Sequence, residues 1–558
     1  MGLPFDRITW MLETLLTPEI RQRVYAERAA VVDRWQEQCV GASREKTNEL
    51  LLEAARACDD DLSSICPRHS ADLWLSLVRR VPPSVFAEAW SVHATLAILK
   101  YSSWTHDTTA GSVHEGDTFG VVLRYTSEDM KDAWRIVVDA ALIARVLQWR
   151  RVCSKGGRIV RDETRLRLDV PEDVRNSIDE YERRRPSETH SGDDAVPMTL
   201  LGDVERAILY LAPLEKPLPL FVPKANFTLT LAHLPMLLPF DSLRRALRFY
   251  DEPLLDRYGA GAEAILQVFV GLSAQCLHAF PPLEMASPDG WRTDADPSSD
   301  SRVAFLFGLL QKGFVRFPRE HLEQALSNVI IDLLPGPREE WVHAFFDAFV
   351  LKPEAREGID VLSLELPPIA WVTPGGHCYF DLVLFDDFIR TLLTSAREWY
   401  STAHGDRFNL LLKMMIEAGA PEAAVVGAKR KVVTAAEEVA VPDLLVRSGR
   451  VLYVVECKAF SKSRAFWRGD LEALYQRTRR IAEAVGQAQQ AAAVVTKALH
   501  DGTLEVEGVE QVQWAVCGPT QEFLLPPDRY GVLAPDVPPV CTHEEFVSVL
   551  RAHGSAVA

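Results

Sequence analysis

Val441-Pro442-Asp443-Leu444-Leu445-Val446-Arg447-Ser448-Gly449-Arg450-Val451-Leu452-Tyr453-Val454-Val455-Glu456-Cys457-Lys458-Ala459-Phe460 reads as two apolar strands joined by a polar turn. Side chains alternate along a strand, so Glu456 and Lys458 share one face and Cys457 takes the other. The turn at Arg447-Ser448-Gly449-Arg450 carries the chain back, which sets Asp443 beside Glu456, thirteen positions later. Two carboxylates and one ammonium then converge. Both faces of the second strand are otherwise apolar, as in a strand covered on both sides. Charged groups there are costly unless they pair or hold a metal. Cys457, turned away, reads as a packed thiol.

That set of groups suits phosphodiester chemistry. Mg²⁺ takes hard oxygen ligands and keeps several waters, so two carboxylates suffice to hold it, and Mn²⁺ can replace it. A bound cation polarises a phosphoryl oxygen and lowers the pKa of a bound water. Lys458 is placed to orient or deprotonate that water, or to stabilise charge on the phosphate. The plainer alternative is a structural Glu456–Lys458 ion pair near a strand end.

With Pro442, Asp443, Glu456 and Lys458 in place, the stretch resembles the PD-(D/E)XK nuclease superfamily, the restriction-endonuclease-like fold. The resemblance covers roughly 365–525. It implies Asp443 and Glu456 as metal ligands, Lys458 as the catalytic lysine, and a following helix bearing Gln487, Gln489 and Gln490. Many members also carry a Glu on the first core helix; here Gly405-Asp406-Arg407-Phe408 leads into Asn409. Glu398, Glu417 and Glu438 are the nearby carboxylates that could serve in its stead.

Downstream, Lys462, Arg464, Arg468, Arg477, Arg479 and Arg480 interleave with Phe466, Trp467 and Tyr475. Beside a nuclease motif this patch reads as phosphate contacts and base stacking, with Lys462, Arg464, Arg468 and Gln487 as the nucleic-acid-binding candidates. A solvated helix face is the competing reading. Lys429-Arg430-Lys431 would border the same groove.

Working outward, residues 365–558 mix strand-like and helical stretches, including a long helix from Asp470, and read as one α/β domain. Residues 1–182 and 198–360 repeat apolar residues at three and four and read as two helical domains. The polar stretch around Arg183–Pro197 links them. The expected fold is therefore multidomain, mostly α-helical over the N-terminal two thirds, with a C-terminal mixed α/β restriction-endonuclease-like domain. Tryptophans such as Trp74, Trp90, Trp104 and Trp134 read as packing residues.

The chain has 558 residues and a formal net charge of −17, which opposes non-specific coating of nucleic acid but not a local basic groove. Nine cysteines, mostly in apolar runs, read as reduced thiols in a cytoplasmic protein. Cys58, Cys66 and His69 lack a second ligand pair at zinc spacing. No P-loop, nucleophile-elbow or H-E-x-x-H motif is present, and no apolar run is long enough for a membrane partner. The expected activity is Mg²⁺-dependent hydrolysis of nucleic acid, DNA ahead of RNA. The helical region would recognise a trigger or protein partner, and restriction, repair or anti-phage defence would be the setting by analogy. The alternative is a nuclease-like module that binds nucleic acid or protein without cutting.

Overall fold

Thr17 and Ser43 open the first two long helices: Thr17 Oγ1 accepts the N–H of Ile20 at 3.5 Å and Ser43 Oγ that of Lys46 at 3.2 Å. In the computed structural model these are α1 (Pro18–Gln38) and α2 (Arg44–Ile65). The structure describes residues 16–184 and 404–555 apart from short gaps, with the strands and a few flanking residues between them.

Next come α3 (Ala71–Val78), α4 (Trp90–Tyr101), the strands β1 (Ser112–Glu115) and β2 (Thr118–Tyr125), and α5 (Ser127–Ser154). Leu51, Leu62, Trp74, Ile98 and Ile143 are fully buried among these helices. Trp74, Trp90, Trp104 and Trp134 are buried too, and the Trp74 indole N–H donates to the Cys66 carbonyl at 2.9 Å. Cys58 and Cys66 are buried, while His69 lies 2.7 Å from Asp129.

The chain continues through β3 (Arg158–Asp162), β4 (Arg165–Asp169), α6 (Glu172–Arg183), β5 (Arg206–Pro213), β6 (Phe314–Pro318), β7 (Val350–Leu351), β8 (Ala370–Val372) and β9 (His377–Asp381). A seven-stranded sheet in the order β1-β2-β5-β6-β9-β8-β7 runs through what local periodicity reads as helical sequence. The region is helical at its N-terminus, but the stretch 198–360 is not purely so. Short strands whose partners lie far along the chain leave little periodic trace, because their pairing is set by packing rather than by neighbours in sequence. The strands read near 370–381 are present, yet they pair with β6 in this sheet rather than with the motif-bearing sheet.

Two compact units result: Met1–Arg150 with Arg161–Leu166 and Glu188–Ser395, and Arg151–Val160 with Arg167–Ser187 and Ala396–Ala558. This differs from a division at 182, 198, 360 and 365. The motif-bearing unit is discontinuous, because α6 packs on its C-terminal part: Arg184 donates to both oxygens of Glu545 at 2.8 and 3.0 Å, and Gln521 donates to the Tyr181 carbonyl.

That second unit is built from α7 (His404–Gly419), β10 (Ala424–Ala428), β11 (Val432–Val433), β12 (Val439–Ala440), β13 (Leu444–Ser448), β14 (Val451–Cys457), α8 (Arg464–Trp467), α9 (Leu471–His500), β15 (Gln511–Gly518), β16 (Val540–Thr542) and α10 (His543–Ser555). Its five-stranded sheet runs β10-β13-β14-β15-β16, antiparallel up to β14 and parallel from β14 onward. Gly449 makes the β13–β14 turn with φ of 56°, a backbone region that disfavours side-chain-bearing residues. Leu452 and Val454 pack against Ala491, Val495 and Ala498 of α9 on one face. On the other, Tyr453 meets Phe546 of α10 at 5.5 Å, and Phe408 of α7 meets His543 at 6.3 Å.

Candidate functional site

The hairpin pairs Leu444 with Val455, so extending the register places Asp443 across from Glu456 just past the last pair. Pro442 cannot donate to a ladder, which suits the strand start it occupies. Asp443 is held from two sides. Its Oδ2 accepts the Cys457 N–H at 2.9 Å, and its Oδ1 accepts from Asn409 Nδ2 at 2.9 Å. Lys458 Nζ donates to Glu456 Oε1 at 2.6 Å. The structure thus brings Asp443, Glu456 and Lys458 to one end of the central strand, and adds Asn409 from α7.

The electrostatics follow from placement. Only 15% of the Glu456 side chain and 26% of the Lys458 side chain are exposed. Burial is the main cause holding the Glu456 carboxyl above its usual range. The Lys458 hydrogen bond opposes this, and the Asp443 charge raises it further. Cys457 is buried on the opposite face, and burial pushes its thiol well up.

Asn409 is 7% exposed, and its Oδ1 is buried with no hydrogen-bond partner among the described residues. An orphan acceptor of that kind is rare in a folded core and asks for a cation or donor. Three hard oxygen donors are therefore available to a divalent cation: the carboxylates of Asp443 and Glu456 and the amide of Asn409. No cluster of three His, Cys, Asp or Glu occurs among the described residues, as follows when the third donor is an amide.

Two of the carboxylates that could stand in for the missing Glu have lysine partners of their own. Glu417 is 3.8 Å from Lys413 with its side chain 56% exposed. Both oxygens of Glu438 accept from Lys497 at 2.7 Å. Glu398 lies outside the described residues, as does Lys462.

The basic run divides. Arg477 is buried and forms a two-pronged pair with Glu522, Nε to Oε2 at 2.8 Å, with its guanidinium 6.0 Å from the Phe466 ring. It is a structural ion pair, not a free phosphate contact. Arg479 is exposed and 3.4 Å from Glu483. Arg468 is partly exposed, and Arg464 lies on α8. Gln487 is exposed on α9, where Ala484, Val485 and Ala488 face the sheet. Lys429-Arg430-Lys431 is exposed, and the Lys429 N–H donates to the Asp443 carbonyl at 2.9 Å, which sets that run beside the site. Glu522 carried no signal in sequence. Its role depends on the loop after β15 returning to α9.

No protein-family model, curated protein or solved structure matches the chain.

Proposed function

We propose that this site hydrolyses phosphodiester bonds of nucleic acid, DNA ahead of RNA, with a bound Mg²⁺. The observation that carries the reading is the meeting of Asp443 and Glu456 across a strand end, with Lys458 on Glu456 and the unpartnered amide oxygen of Asn409 beside Asp443. The mixed α/β surroundings support it: of the five strands between α7 and α9, β10, β13 and β14 enter the sheet that carries the site, and β15 extends that sheet beside β14.

Bound Mg²⁺ would polarise the scissile phosphate and lower the pKa of an attacking water. Asp443 and Glu456 would hold it through their carboxylates, with the Asn409 amide as a neutral third donor. The hydrogen bonds from Asn409 and Cys457 fix the Asp443 carboxylate in orientation before any ligand arrives. Lys458, drawn to Glu456 in the free protein, is within reach of the same point. With the Glu456 oxygens engaged elsewhere, the Lys458 ammonium would be free to face the phosphate or the water.

A binding module without cutting is the second reading. The closed Lys458–Glu456 pair and Asn409 in place of a third carboxylate favour it. The separating experiment incubates supercoiled, linear and single-stranded DNA and RNA with the protein in Mg²⁺, Mn²⁺ or EDTA. Glu456→Ala and Lys458→Ala are run beside the wild type. Metal-dependent cutting reduced by roughly 10²-fold or more in both variants is the expected result. Cutting that survives Glu456→Ala would sink the assignment.

A further inference from the structure

Arg151 and Lys155 stand one helical turn apart, Arg151 in the last turn of α5 and Lys155 just beyond it. Both are half-buried. Burial lowers the pKa of each, and Lys155, with the Arg151 charge also pushing it down, falls to about 8. Among the described residues neither forms an ion pair; the carboxylate whose charge opposes theirs is Glu182. Lys155 Nζ lies instead 4.2 Å from the Phe523 ring centre and 5.5 Å from that of Tyr181.

Arg151 sits beside the segment that leaves the candidate site. Gly469 closes the stretch that begins after Lys458 and carries Arg464 and Arg468, and a Cβ at Gly469 would come within 2.8 Å of the Arg151 backbone. All of these residues belong to one compact unit.

Two half-buried like charges, opposed by Glu182 without an ion pair among the described residues, raise the free energy of the fold. An apolar side chain at either position would avoid that cost. A bound anion would offset both charges at once, and the adjoining rings offer a surface on which a base stacks. A polymer that alternates phosphate and base has both features. The geometry points to Arg151 and Lys155 as a backbone-phosphate clamp for the nucleic acid that Asp443, Glu456 and Lys458 are proposed to cut, an inference that rests on that reading.

The test is fluorescence anisotropy of a fluorescein-labelled DNA oligonucleotide, single-stranded and duplex, titrated with the full chain in EDTA over a KCl series. The Arg151→Gln/Lys155→Gln double variant is expected to bind more weakly. Its slope of log affinity against log salt should be shallower by about 1.4 on the single strand and about 1.8 on the duplex, because each cation removed leaves one phosphate with its counterion. Lys155→Arg should keep the wild-type slope. Thermal melts should place the double variant at or above the wild-type Tm, so that weaker binding is not unfolding. An unchanged slope in the double variant overturns the inference, as does a wild-type chain that binds neither oligonucleotide. The two proposals fail separately. A chain that binds through these cations yet never cuts refutes the nuclease reading alone. One that cuts through Glu456 while the double variant binds and cuts as wild type refutes only the phosphate clamp.

Discussion

Asn409 occupies the position at the site where a third carboxylate would add a third negative charge. Its amide gives Asp443 a donor instead, at 2.9 Å, and leaves a buried oxygen over. Asn409→Asp should reverse this balance. A third carboxylate raises Mn²⁺ affinity by about tenfold at alkaline pH, as added ligand charge does at cation sites. It also pushes the Glu456 carboxyl, already held up by burial and by Asp443, further above its usual range. Proton competition therefore sets in at higher pH, and affinity should fall earlier as the solution is acidified. Calorimetric titration with Mn²⁺ from pH 8 to pH 5 reads both effects; a variant with wild-type affinity throughout would remove Asn409 from the proposed cation site. Asn409→Leu strips the donor from Asp443 and should cost roughly 1–3 kcal/mol in urea unfolding.

At the scale of elements, α9 shows how one basic run divides between buried and exposed positions. Its sheet-facing residues include Ile481, Ala484, Val485 and Ala488, and Arg477 falls on the buried side with them. There it meets Glu522, and both side chains are only 7% exposed. Glu522→Ala leaves the guanidinium buried and uncompensated, a change expected to cost about 3–5 kcal/mol in denaturant unfolding. The Arg477→Met/Glu522→Leu double replacement should recover most of that loss, because it leaves no unpaired charge. Equal destabilisation by the single and double variants would mean that packing, rather than pairing, dominates there.

At the scale of the molecule, the motif-bearing unit is assembled from three stretches of chain. Arg184, with a side chain 4% exposed, closes on Glu545, and Tyr181 meets Phe523 at 6.3 Å. A fragment of residues 396–558 alone exposes that surface and strands Glu545 without its partner. It should be less stable by roughly 3 kcal/mol than the same fragment carrying 151–187 through a flexible linker. Urea denaturation of the two fragments gives the comparison, and identical midpoints would show that the 151–187 stretch contributes nothing to the unit.

What the sequence by itself determined is local. The turn at Gly449, the two-residue alternation of β14 and the thirteen-residue spacing bring Asp443, Glu456 and Lys458 together, because hairpin register depends only on neighbours along the chain. The helical periods of α1, α2 and α5 are legible for the same reason. The tertiary structure alone decided the rest. It threads β5, β6, β8 and β9 into one sheet with β2, since strand partners distant in sequence are chosen by packing. It sends Arg477 to Glu522, Arg151 to Gly469 and Lys155 to Phe523, although each looks in sequence like another cation on a helix. A charge run carries no mark of which members will be buried. That is settled only when an opposing surface arrives and water leaves.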